Sequence, residues 1–319
     1  MAFLAGIDEA GYGPFVGPFV VGYSVFRVPQ LETDLWPVLK RTCVPKPDRK
    51  DLRRLWLNDS KKVHQGPHGR KRLARTVAAF RELDRESQSS LDSWVTDPPC
   101  GDARSLHAAP WLKTLAGPLA EDISHDRARL DAASVRQDLQ DAGCTFAGFG
   151  ARAVPAGEWN HLLDQTGGKG NTNFAVTMEV VRHLMAITGD APLRIELDRQ
   201  GARMRYTEPL RRALQPKGIQ IHGEGKGGST YSLEFPTREV QIRFSEEADS
   251  KHLPVALASM GAKLTRERLM DLFNAWWAER LPELKPTKGY GVDGKRWLAE
   301  VMPKLPAHQV DEELLRRRL

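Results

Sequence analysis

A chain of 319 residues with 40% hydrophobic and 28% charged residues has enough apolar material for a sizeable core, which excludes a disordered tail. The formal charge is +6, and Cys43, Cys100 and Cys144 are too few and too widely spaced for a disulfide framework or a zinc knuckle. Gly17, Pro18, Gly22 and Ser24 break the longest apolar run, and the opening residues lack a signal-peptide pattern, so neither a membrane span nor secretion is predicted and a cytoplasmic protein is.

Two apolar segments, 3–7 and 15–26, flank Asp8-Glu9-Ala10-Gly11-Tyr12-Gly13-Pro14 and predict strand, loop, strand. Asp59-Ser60 supplies an N-cap, and Leu73, Val77, Phe80 and Leu83 are spaced as one face of a basic helix. Residues 40–85 carry a surplus of ten positive charges while the rest of the chain sums to −4, which points to a polyanionic partner. Residues 86–141, with ten acidic against five basic residues and a weakly helical stretch from Asp126, read as an insertion.

A strand ending at Val154, a helix at 158–163 and a longer helix at 173–187 follow, the last with Phe174, Met178, Val181 and Met185 on one face. Asp164–Asn171 is rich in Gly and Lys but lacks the spacing of a phosphate-binding loop, so a flexible connection or a substrate-edge loop is expected. Leu193–Leu197 reads as a strand closed by Asp198, 203–214 as a charged helix and 219–222 as a strand. Residues 230–235 and 239–244 alternate around Pro236-Thr237 as a hairpin, and a long helix spans about 255–279. Trp276, Trp277 and Trp297 are expected to pack between helices, and Arg316-Arg317-Arg318 to fray. The alternation of strands and helices implies an α/β sheet.

Acidic residues at the ends of apolar strands lose hydration and need compensation. Asp8 and Glu9, Asp198, and Asp249 before the last long helix hold such places. Because adjacent strand residues point to opposite faces, Asp8 and Glu9 share a site only if the strand ends between them. Converging carboxylates would repel one another without cations, and all-oxygen ligation favours Mg²⁺ or Mn²⁺. Glu196, Glu246 and Glu247 compete for the later positions.

Gly6-Ile7-Asp8-Glu9-Ala10-Gly11-Tyr12-Gly13-Pro14 resembles the opening motif of ribonuclease HII. In the same order, Asp59-Ser60-Lys61-Lys62 is similar to that family's Asp-Ser-Lys-Lys segment. Asp249 with the helix carrying Lys263 and Arg266 resembles its last acidic position, and Lys288-Gly289-Tyr290 its late Lys-Gly-Tyr. The resemblance implies a ribonuclease H-like mixed sheet flanked by helices, formed by 1–85 and 142–285. The segment 86–141 would be inserted, an extra β-hairpin added, and 286–319 a C-terminal helical extension.

It further implies a two-metal endonuclease, active on RNA/DNA hybrids or ribonucleotides embedded in duplex DNA, with Asp8, Glu9, Asp198 and Asp249 as catalytic metal ligands for Mg²⁺ or Mn²⁺. Gly11, Tyr12, Gly13, Lys61, Lys263 and Tyr290 would bind substrate, Tyr290 beside a deoxyribose. The departure is Tyr12, where the family carries arginine; the ring is expected either to stack on nucleic acid or to pack against the insertion. A monomer is expected, without a membrane partner. The alternatives are a hybrid-binding protein without cleavage and a nuclease on another structured nucleic acid.

Overall fold

The computed structural model describes residues 1–46, 51, 53–84, 90–97, 99 and 103–318. Cys100, the outer residues of the basic stretch at 47–50, 52 and 85, and parts of the expected insertion lie outside the described residues.

Among the described residues there are nine strands: β1 Ala2–Ala10, β2 Phe19–Val28, β3 Cys43–Val44, β4 Leu55–Trp56, β5 Thr145–Val154, β6 Leu193–Asp198, β7 Gly218–Gly223, β8 Ser229–Glu234 and β9 Glu239–Ser245. Seven form one sheet in the order β5-β2-β1-β6-β9-β8-β7, while β3 and β4 pair separately. β1 runs antiparallel to β2 and parallel to β6, which is parallel to β9; β8 returns antiparallel on β9 as the predicted hairpin. The fold is therefore the mixed, helix-flanked ribonuclease H-like sheet that the motifs imply.

Alternation along the central strands sends apolar side chains to two cores. Leu4, Ala10, Val20 and Phe26 join the core beneath the long helix Leu253–Arg280, with Leu257, Met260 and Leu264. Ala5, Ile7, Val21 and Val25 join the core beneath the helix Lys169–Ile187, with Met178 and Val181. The Ser24 hydroxyl donates to Pro254 O at 2.8 Å, fastening the start of the long helix to the sheet. Trp277 and Trp297 are buried edge-to-face against each other, as helical packing requires.

Three expectations are corrected. β1 does not stop at Ile7 but continues through Asp8 and Glu9 to Ala10, because β2 supplies pairing partners as far as Ala10↔Val20. The segment 164–171 is mostly helical rather than a flexible connection or loop: the helix Ala156–Thr166 ends at Gly167, in the left-handed region at φ 71°, and the next helix begins at Lys169. The arginine tail is not frayed, since Arg316 forms a bridge with Val16 and the Arg317 amide donates to Phe15 O at 2.8 Å.

Candidate active site

Continued through Glu9, the strand sends the acidic pair to opposite sides of its end. Asp8 turns toward the long helix, where a hydrogen bond with the Ser259 side chain favours its charged form. Glu9 turns toward the helix Lys169–Ile187, where Asn173 Nδ2 donates to its Oε1 at 3.5 Å. Asn173 is itself held: Gln200 Nε2 donates to its Oδ1 at 3.2 Å and to Thr177 Oγ1 at 2.7 Å.

Asp198, the last residue of β6, accepts the Ala248 amide on Oδ1 at 3.1 Å. That bond holds the short helix Ala248–Lys251, which carries Asp249, against the end of β6. Opposite, Asp59 caps the helix Ser60–Val63 by accepting the Lys61 amide at 2.8 Å, and Ser60 is tied to Ser259 Oγ at 3.0 Å. Exposed Lys61 is thus brought to the acidic residues by a chain of two serines that reaches Asp8.

The electrostatics record how these carboxylates crowd one another. Burial, then the charges of Glu9 and Asp249, raises the Asp8 carboxyl well above the usual range. Burial and Asp198 push Glu9 up to about 7, against the pull of Asn173 and Lys61. Asp249 rises to about 6 through burial, Asp59 and Asp198, with Lys61 and Lys62 working the other way. A group of acids that hold protons near neutrality is short of positive charge. All-oxygen donors under such repulsion fit a hard divalent cation in chemistry. Among the described residues, however, no three His, Cys, Asp or Glu side chains stand close enough to enclose an ion.

The competing glutamates are engaged elsewhere. Glu196 faces Arg194, Arg243 and His252 at 3.7, 3.5 and 3.6 Å, Glu246 pairs with Arg199, and Glu247 is exposed at the head of the short helix.

The loop from Gly11 to Pro18 leaves β1 beside these acids. Gly11 has φ +84°, and a Cβ there would stand 2.5 Å from Arg266 Nε, whereas a Cβ on Gly13 would meet nothing within 4 Å. Tyr12 does not pack against the insertion. Its ring meets Phe19 edge-on at 6.3 Å and lies 4.5 Å beneath Lys169 Nζ. Arg266, on the same helix as Lys263, is 1% exposed; its Nη2 donates to Val16 O at 3.3 Å and to Lys288 O at 2.9 Å. Its guanidinium lies 4.9 Å from the ring of Tyr290, which is 42% exposed. Tyr290 and Gly11 therefore share one buried arginine. Lys263 is set apart, its Nζ held by Glu267 Oε1 at 2.6 Å.

Residues not singled out for the site in the sequence are Asn173 and Ser259 at the acids and Arg317 at the loop, while Asp59 reads there as an N-cap and as part of the Asp-Ser-Lys-Lys segment. Asn173 carried a signal, a polar residue opening an otherwise apolar helical stretch. Arg317 carried none.

Known proteins offer limited comparison. No protein-family model and no curated protein matches the chain. Several solved structures are similar to it over nearly its whole length. The RNase HII of Archaeoglobus fulgidus, solved in complex with PCNA, is 14% identical, with 99% of this chain and 94% of that one covered and a TM-score of 0.43. The ribonuclease H2 of Pyrococcus horikoshii is 16% identical over 98% and 92%, with a TM-score of 0.38. Bst-RNase HIII, solved with Mn²⁺, is 14% identical over 99% and 66%, with a TM-score of 0.44. These three are ribonucleases of the kind its motifs resemble.

Proposed function

We propose that the chain is a metal-dependent endoribonuclease that hydrolyses RNA in RNA/DNA hybrids or at ribonucleotides embedded in duplex DNA, acting as a cytoplasmic monomer. The observation that carries this reading is the set of acids at the ends of β1 and β6 and on the short helix beside them, where burial first and neighbouring carboxylates second raise Asp8, Glu9 and Asp249. In this reading 1–85 and 142–285 form the catalytic body, and 86–141 and 286–319 are additions to it. No described helix is long and apolar enough to cross a membrane.

Asp8, Glu9, Asp198 and Asp249 would hold Mg²⁺ or Mn²⁺, which when bound supplies Lewis-acid activation of water and neutralises charge on the phosphate. The chain's own groups do the rest. Asn173 and Ser259 orient Glu9 and Asp8, while Asp198 fixes the helix that carries Asp249. Lys61 brings a cation to the rim, where a phosphate would approach. The loop at Gly11 and Gly13 presents backbone to the sugar, Gly13 having open space in front of it. Tyr290 offers a ring face supported by Arg266, and Lys263 lies farther along the same helix.

The test is incubation with Mg²⁺ or Mn²⁺ and three duplexes carrying one ribonucleotide, a run of RNA, or DNA alone. Cleavage of the first two, nearly abolished in Asp8→Asn while hybrid binding persists, is the expected result. Binding without cleavage would establish the hybrid-binding alternative, and cleavage of DNA alone a different nuclease.

A further inference from the structure

The strand-to-strand loop that bears Gly11, Tyr12 and Gly13 is gripped from within by the far end of the chain. Arg317 Nη2 donates to both Gly11 O and Pro14 O, the Arg317 amide donates to Phe15 O at 2.8 Å, and Val16 pairs with Arg316. Val16 O also accepts from Arg266 at 3.3 Å. The carbonyls of Gly11, Pro14, Phe15 and Val16 are therefore taken up, while the far side at Gly13 is open.

The grip is itself anchored. Asn160 Nδ2 donates to Arg316 O at 2.9 Å and its Oδ1 accepts the Arg318 amide at 2.7 Å. Trp159 Nε1 donates to Arg318 O at 3.0 Å, and the Trp159 ring lies 5.0 Å from the Arg317 guanidinium. Trp159 also touches Phe19, the first residue of β2, at 5.1 Å. Both ends of the loop are thus registered against the same short stretch of the helix Ala156–Thr166.

What sets Arg317 apart from an ordinary anchor is its charge. It is 1% exposed, Nε and Nη1 have no hydrogen-bond partner among the described residues, and its bonded partners are carbonyls rather than a carboxylate. The other charged guanidinium beside it is Arg266, also buried, and like charges oppose each other. Burying a cation without an acid is costly, and tying down a chain end needs no charge at all. A terminal nitrogen, Nη2, held in a rigid planar guanidinium and reaching two carbonyls three residues apart does what an apolar residue cannot: it sets the loop's backbone conformation.

We propose that Arg317 is a positioning residue for the substrate-reading loop, so that the C-terminal segment Asp311–Arg318 belongs to the active site and sets ribonucleotide preference through the backbone of Gly11–Pro14. The inference rests on the nuclease reading above.

Two measurements decide it. Hydrogen exchange at the loop amides between Gly11 and Val16 should quicken at least tenfold in Arg317→Met, with the long helix unchanged, and Arg317→Lys, which keeps the charge but not the rigid planar guanidinium, should recover part of the protection. In steady-state cleavage of matched duplexes, Arg317→Met should raise KM at least fivefold and lower the preference for a ribonucleotide, with kcat within twofold. Arg211→Ala, which removes an exposed pair with Glu208 on another helix, should match wild type in both. Unchanged exchange in Arg317→Met overturns the proposal, as does faster exchange with unchanged KM and preference. A chain whose wild type cleaves none of the duplexes would overturn the nuclease reading instead, and the exchange arm would still decide whether Arg317 holds the loop.

Discussion

Gly11 and Gly13 lie two residues apart in one loop, yet a methyl group added at each should have opposite consequences. At Gly11 the backbone sits at φ +84°, and the new Cβ would lie 2.5 and 2.6 Å from Arg266 Nε and Cδ and 2.8 Å from Pro18 O. A left-handed conformation costs an L-residue roughly 1–2 kcal/mol. Overpacking costs roughly 1–3 kcal/mol more. Arg266 has little freedom to yield, being buried and bonded to Val16 O and Lys288 O. Gly11→Ala should therefore destabilise the protein by about 2–5 kcal/mol. Gly13→Ala meets no atom within 4 Å and needs no left-handed backbone, so its effect should stay within about 0.5 kcal/mol. Urea denaturation of both variants beside wild type, read by tryptophan fluorescence, measures the difference. Equal costs at the two positions would refute the packing argument. Activity then separates fold from function: a stable Gly13→Ala that binds hybrid poorly would mark the open side of the loop as the face a nucleotide approaches.

Further outcomes follow from the acids and from Tyr12. Glu9 holds its proton up to about 7 in the folded chain against an ordinary 4.5, so between those values the folded state binds more protons than the unfolded one and stability falls as pH rises. Without divalent metal, Glu9→Gln should thus raise stability at pH 8 by at most about 3 kcal/mol and change little near pH 4. Thermal melts at the two pH values test this, and equal shifts would refute it. Mg²⁺ or Mn²⁺ should raise the melting temperature of wild type at pH 8 but not of Asp8→Asn; equal shifts would exclude Asp8 as a ligand. Tyr12→Ala should cost roughly 1–2 kcal/mol by losing the Phe19 edge contact and the Lys169 cation, whereas Tyr12→Phe should be nearly neutral. Denaturation curves check both, and a neutral Tyr12→Ala would remove these contacts from the account.

The sequence by itself determined what short-range chemistry controls. Alternation and turn residues located the strands of the central sheet and the hairpin around Pro236-Thr237, and the N-cap at Asp59 was legible because a cap bonds residues two apart. Asp8, Glu9 and Asp198 could be singled out because a carboxylate at the end of an apolar strand is visible from its immediate neighbours. The tertiary structure decided what depends on partners far along the chain. β1 runs on through Glu9 because β2 pairs with it, so the two acids face different helices, a division that strand periodicity could state only as a condition. Glu196 is two residues from Asp198 yet is drawn off by Arg194, Arg243 and His252, and only the strand and helix packing brings the last two to it. Arg266, charged and evenly spaced on a helix, reads as a solvent-facing cation until the loop and the Lys288 carbonyl close over it. The arginine tail is the extreme case. Nothing within several residues of Arg317 distinguishes it from a frayed end, and its bond to Gly11 joins positions 306 residues apart, where local pattern carries no information about which groups will meet.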